Sequence, residues 1–157
     1  MKKGVLVILA LVLCLSMAAC GGEKTEKAGV TPDMQTVYAD MAPYLPDDAL
    51  AYQPDFVFNA YGVKEEDCKQ QVVMSYYDGA VTAEVWLIEA VNKDALTKIK
   101  ELAEARLDSM TEQFKNYDAK AAALCEDAEL FTHGNCLVLI VSDRAGELLE
   151  IYNAAKN

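Results

Sequence analysis

Residues 71–78 (QVVMSYYD) and 82–90 (TAEVWLIEA) decide the fold of this chain. Both are rich in β-branched and aromatic residues, and Asp78-Gly79 between them is a turn signal, so the pair reads as a β-hairpin. Side chains alternate across a strand, which places Val72, Met74 and Tyr76 on one face with Ala83, Val85 and Leu87. The opposite face carries Val73, Ser75 and Tyr77 with Glu84, Trp86 and Ile88. Neither face is purely polar, so both are expected to be covered in part.

Downstream, Asn92 is a cap for a long helix expected to run to about Tyr117. Its apolar residues Leu96, Ile99, Ala103, Leu107, Met110, Phe114 and Tyr117 recur at steps of three and four, an amphipathic helical period. A second hairpin follows, residues 129–133 and 136–142 around a Gly134-Asn135 turn. The stretch CLVLIVS is apolar on both faces, which places it centrally in a sheet. Ser142-Asp143 introduces a last helix whose Ala145, Leu148, Leu149 and Tyr152 face the core.

Upstream, Thr31-Pro32-Asp33 is a helix start with Thr31 as the cap, followed by Met34, Val37, Tyr38, Met41 and Tyr44 at helical spacing. Pro43 and Pro46 end that helix, and a second short one opens at Pro54-Asp55 and stops at Gly62. The order is α-α-β-β-α-β-β-α. Two hairpins separated by a helix imply an α+β fold, with helices packed on a four-stranded antiparallel or mixed sheet.

The N-terminus has a different character. Lys2 and Lys3 precede an apolar run from Gly4 to Ser16, and Met17-Ala18-Ala19-Cys20 is followed by Gly21-Gly22. The run is short for a membrane span, which needs ~20 residues. A basic start, a short apolar stretch and small residues ending in cysteine read as a lipoprotein signal peptide cut before Cys20. Residues 1–19 are then the signal peptide, and residues 20–31 a lipidated Cys20 with a flexible, polar tether. Residues 32–157 form a single α+β domain. The membrane is the expected partner through the lipid on Cys20, on the extracytoplasmic side.

The chain has fourteen Lys and Arg against twenty-five Asp and Glu, a net charge of −11. Losing Lys2 and Lys3 with the signal peptide takes the mature protein to −13. So acidic a chain is not expected to bind nucleic acid, which calls for a basic patch, nor to gain a second electrostatic hold on anionic lipid. Of five cysteines, Cys14 leaves with the signal peptide and Cys20 is consumed by lipid. Cys68, Cys125 and Cys136 remain, too few for a disulfide scaffold.

Arg106 lies about 50° from the centre of the long helix's apolar stripe. A guanidinium there needs an acceptor, and Glu84 on the preceding strand is the expected partner. Two roles are open: the pair pins helix to sheet, or Arg106 faces a cleft and binds a carboxylate or phosphate. Cys125, His133 and Cys136, with Cys68 as a fourth, have only one tight pair of ligands and argue poorly for zinc, so no metal or cofactor is expected. The Gly134-Asn135 turn pairs His133 with Cys136, a possible thiol and base, while extending the register puts Cys125 opposite Arg144, away from both. No glycine-flanked nucleophile accompanies that pair, and no catalytic residue is assigned. Trp86 and Tyr77 share a sheet face that would suit a glycan, peptide or protein partner if exposed. Alternatively the N-terminal helices cover it, with Tyr38, Tyr44 and Tyr52 available to pack there.

The chain also resembles a family of bacterial lipoproteins known as domain of unknown function 4358. The matching stretches are Tyr61-Gly62-Val63, Glu66-Asp67, Ala83-Glu84-Val85, Arg106-Leu107, Gln113-Phe114 with Tyr117, Gly134-Asn135 and Val141-Ser142-Asp143. The resemblance covers the domain from about Met34 to the C-terminus. It implies a small extracytoplasmic lipoprotein and carries no reaction. The expectation from the whole chain is a non-catalytic interaction module at the outer face of the cytoplasmic membrane, meeting an envelope or membrane protein. The alternative is a small-ligand-binding or transporter-accessory lipoprotein, and a thiol-dependent enzyme on Cys136 and His133 comes last.

Overall fold

The computed structural model describes residues 30–157. Cys20, the expected signal peptide and most of the expected tether lie outside the described residues. The elements are α1 (Met34–Met41), α2 (Pro54–Tyr61), β1 (Cys68–Tyr77), β2 (Thr82–Ala90), α3 (Lys93–Phe114), α4 (Ala119–Glu126), β3 (Glu129–His133), β4 (Cys136–Val141) and α5 (Ala145–Ala155). Short 3-10 turns occupy Ala42–Tyr44 and Glu65–Asp67. None of the described helices is long and apolar enough to cross a membrane.

The four strands form one sheet in the order β1-β2-β4-β3, antiparallel throughout. The two apolar strands, β2 and β4, are therefore the central pair, and every residue of each is buried. In the first hairpin Val72 faces Leu87, Val73 faces Trp86 and Met74 faces Val85. That register keeps the two alternating side-chain sets on opposite faces. One face, with Val72, Met74, Val85, Leu87, Val138 and Ile140, packs beneath α1 and α5. The other, with Val73, Trp86, Ile88, Leu137 and Leu139, packs beneath α2, α3 and α4. The sheet is thus the middle of three layers, and each layer contact removes apolar area from water at ~25 cal/mol per Å².

Local chemistry explains the helix ends. Asn92 Oδ1 accepts from Ala95 N at 2.9 Å and starts α3. Gly62 ends α2 with φ +78, a left-handed conformation that costs glycine little. Two expectations are corrected. Asp33 rather than Thr31 caps α1, its Oδ1 accepting from Thr36 N at 2.7 Å. The long helix stops at Phe114, and Asp118, accepting from Ala121 N, starts the additional helix α4.

The entry of the chain is fastened to one end of the sheet. Gln70 Oε1 accepts from Met34 N at 2.9 Å, and Gln70 Nε2 donates to Pro32 O at 3.3 Å and to Glu89 Oε2 at 2.8 Å. The Gly134-Asn135 turn and the N-terminus of α3 lie at this same end, where Lys93 Nζ donates to Gly134 O.

Candidate functional site

The period of two on β2 directs Glu84 and Trp86 to the same face, beneath α3. Glu84 is fully buried. Its Oε2 accepts from Arg106 Nη2 at 2.8 Å and from Nε at 3.2 Å, and Oε1 accepts from Arg106 Nε at 3.0 Å. Trp86 Nε1 donates to Oε1 at 2.9 Å. The Tyr61 ring stacks on the guanidinium, 5.2 Å from centroid to Cζ, and also meets Trp86 at 5.2 Å between centroids. Burial pulls the Arg106 guanidinium down, but the bonds and charge of Glu84 outweigh it and the net shift is upward. Burial and the Glu84 charge push the Tyr61 phenol up to about 12.

This arrangement joins α2, α3 and β2 through one charge. Both carboxylate oxygens are taken, and the guanidinium is held by the carboxylate on one side and a tyrosine ring on another. Displacing Glu84 from Arg106 would leave a buried carboxylate unpaired, a cost of several kcal/mol, whereas the Arg106 side chain itself is 25 % exposed. Two surface grooves lie elsewhere. One of about 660 Å³ is lined by Pro54, Asp55, Phe58, Lys64, Glu65 and Glu66. The second, about 560 Å³, lies between α3 and α4 and is lined by Leu107, Asp108, Thr111, Glu112, Cys125 and Glu126. Arg106 lines neither groove.

Trp86 is not part of an interaction face. It is 0 % exposed, because α3 and the Tyr61 end of α2 lie directly over it. Of the tyrosines expected to cover it, Tyr52 does pack on this face, against Tyr61 and Phe56. Tyr38 belongs to the opposite face, and the Tyr44 ring stacks on Arg144. Tyr77, on the same sheet face but at its far end, is 41 % exposed. Its ring packs 5.0 Å from Phe114 and stands edge-on to Tyr117 at 6.2 Å and 89°. Tyr77 Oη donates to Asp118 Oδ2 at 3.2 Å. Tyr117 and Asp118 were not legible as partners of Tyr77 from spacing; the only trace was Tyr117 as the last apolar position of the helix.

The cysteines are dispersed. Cys125 sits on α4 and packs on the Trp86 face, whereas Cys136 packs on the opposite face; the expected register opposite Arg144 is replaced by a helix. His133 and Cys136 do pair across the β3–β4 hairpin. Cys136 is buried, and burial followed by the Glu89 carboxylate pushes its thiol up, away from a thiolate nucleophile. Burial likewise raises Cys125, and it pushes Cys68 up to about 11. Among the described residues no group of three His, Cys, Asp or Glu side chains is placed to hold a metal ion.

No curated protein and no solved structure matches the chain. The model of a family described as a domain of unknown function, DUF4358, matches residues 52–142, a span from the approach to α2 to the end of β4 that holds Glu84, Trp86, Arg106, Tyr77 and Asp118. With more than half of its length in that match, the chain belongs to the DUF4358 family.

Proposed function

We propose that this protein is a lipid-anchored, non-catalytic interaction module at the outer face of the cytoplasmic membrane. The observation that carries the reading is the Met17-Ala18-Ala19-Cys20 junction after a short apolar run. Diacylglyceryl and acyl chains on Cys20 supply the two lipid signals that stable anchoring needs. The interaction part is supported by where the polar chemistry lies. Glu84 and the part-buried Arg106 are paired with each other where α3 meets the sheet, and the Cys125 and Cys136 thiols are raised by burial, while exposed aromatic and acidic side chains remain at the surface.

The test is metabolic labelling of the full chain with an alkynyl palmitate in a bacterial host, followed by photo-crosslinking in the membrane. Label on the unmodified chain, lost in Cys20→Ser, together with an envelope or membrane protein crosslinked to the domain, is the expected result. Equal labelling of Cys20→Ser removes the anchor, and crosslinks confined to lipid remove the interaction role.

One observation favours a second reading, a small-ligand-binding accessory. The groove beside α2 offers the exposed Phe58 ring next to Lys64. A ligand there would raise the melting temperature of the unmodified chain and leave that of Phe58→Ala unchanged.

A further inference from the structure

Gln70, which holds the entering chain, and Tyr77 are seven residue steps apart along β1. At ~3.4 Å per residue the two lie ~24 Å apart along the sheet. Tyr77 therefore stands at the end opposite to chain entry, beside the 78–81 turn and the C-terminus of α3. The side chains gathered there have a common character. Tyr77 and Tyr117, 41 % and 57 % exposed, form a perpendicular corner, and the buried Phe114 backs both rings at 5.0 and 5.5 Å. Asp118 closes one side: Oδ2 accepts from Tyr77, while Oδ1 caps α4. Asp78 adds a second carboxylate in the turn, its Oδ1 accepting from Ala80 N and Val81 N at 2.8 Å. Lys120 Nζ donates to the Ala80 carbonyl at 3.5 Å in the same turn.

We infer that the Tyr77–Tyr117–Asp118 corner is a docking site for Lys or Arg side chains on an extracytoplasmic segment of a partner protein. Aromatic faces present negative potential to a cation, and two rings at right angles with an adjacent carboxylate present it from several directions. Charge complementarity selects this occupant: the residues that follow Cys20 carry −13, and at this end Asp78 and Asp118 flank the rings. A lipid surface fits less well. An anionic bilayer would repel the carboxylates that flank the rings. The inference rests on the interaction reading above and names the partner chemistry and the face that meets it.

The test uses the full chain in non-ionic detergent and fluorescence anisotropy of fluorescein-labelled hexa-arginine and hexa-lysine. Hexaglutamate and a neutral chitin-type hexasaccharide serve as competitors. Both cationic peptides should bind, more weakly at higher salt. Tyr117→Ala should lose about tenfold in affinity. Asp118→Asn, which retains the cap on α4, should bind more weakly and with a smaller salt dependence. Tyr44→Ala, another exposed tyrosine, should bind as the unmodified chain does. Circular dichroism on each variant separates loss of the site from loss of the fold, and Tyr117 is exposed enough to be removed without unfolding. Unchanged affinity of folded Tyr117→Ala, displacement by the hexasaccharide, or no binding of either cationic peptide overturns the proposal. Failure of palmitate labelling at Cys20 would leave this result intact, and failure of peptide binding would leave the anchor intact.

Discussion

Trp86 Nε1 donates to Glu84 Oε1 at 2.9 Å, and the same oxygen accepts from Arg106 Nε at 3.0 Å. Two residues of one strand and one residue of the covering helix therefore meet on a single buried carboxylate. A carboxylate wholly removed from water is tolerable only with its charge matched and its lone pairs filled. Here the ion pair matches the charge, and the indole completes the coordination. The cluster sits at the centre of the α2–α3–β2 contact and specifies how α3 lies across the sheet.

Removing the cation exposes that dependence. Arg106→Met is expected to lower stability by ~3–5 kcal/mol, because it strands the Glu84 charge. Glu84→Gln on that background keeps an acceptor for Trp86 and removes the unpaired charge, so it should recover part of the loss. Urea denaturation of the two single variants and the double variant gives the coupling between the sites. Additive losses would mean that Arg106 and Glu84 act independently.

Trp86 is the chain's single tryptophan, so its fluorescence reports this cluster directly. With 0 % of its surface exposed, the native emission should be blue-shifted and resistant to iodide. Both properties should collapse in one step with the circular dichroism signal on unfolding. Trp86→Ala should cost ~3–5 kcal/mol, combining a large cavity with a lost donor to Glu84. Iodide quenching in the native state comparable to that of free tryptophan would contradict the buried placement.

Much of this cluster was legible because it follows from alternation and helical period. Glu84 and Trp86 must share a face, and Arg106 must lie near the apolar stripe of α3. What could not be read was which helices cover which face, since both sheet faces are apolar and spacing alone does not choose between them. Trp86 is consequently open to two readings from spacing, and the position of α3 over it decides between them. The α4 stretch AKAAALCE was missed for a different reason: alanine-rich segments have little contrast between faces, and only Asp118 marks the start. The Tyr77–Asp118 contact spans 41 residues and depends on α4 being present, so it could not be anticipated without that helix.

Gly62 offers a test of the α2–α3 contact that removes no side chain of the charge cluster. At φ +78 a side chain is strained whatever the space, and a Cβ would come within 3.4 Å of Leu102 Cδ2 on α3. Gly62→Ala should therefore destabilise by about 1–2 kcal/mol, mainly through the left-handed backbone. A thermal or urea midpoint equal to that of the unmodified chain would show that α2 can end in another conformation.

The three thiols of the described residues predict how stability depends on pH on the alkaline side. Cys68, Cys125 and Cys136 all rise above the ordinary thiol value of 9.0, chiefly through burial, and Cys68 reaches about 11. A raised native value means that the folded state holds its protons where the unfolded chain has begun to lose them. The contribution is thus fully present below pH 9 and declines as pH climbs through the native values. The phenols of Tyr61 and Tyr152, both raised by burial, add to the decline above pH 10. The urea midpoint should accordingly fall between pH 9 and pH 11, with no thiol contribution to any change between pH 7 and pH 8. The same protonation protects the sulfurs from alkylation, because the thiolate is the nucleophile. With iodoacetamide at pH 8, peptide mapping should find Cys125 and Cys136 unmodified in the native protein and fully modified in urea. The half-buried Cys68, whose Sγ donates to Lys64 O at 3.4 Å, should react slowly but ahead of the other two. Rapid native labelling of Cys136 would contradict its burial and restore the His133–Cys136 pair as a reactive centre.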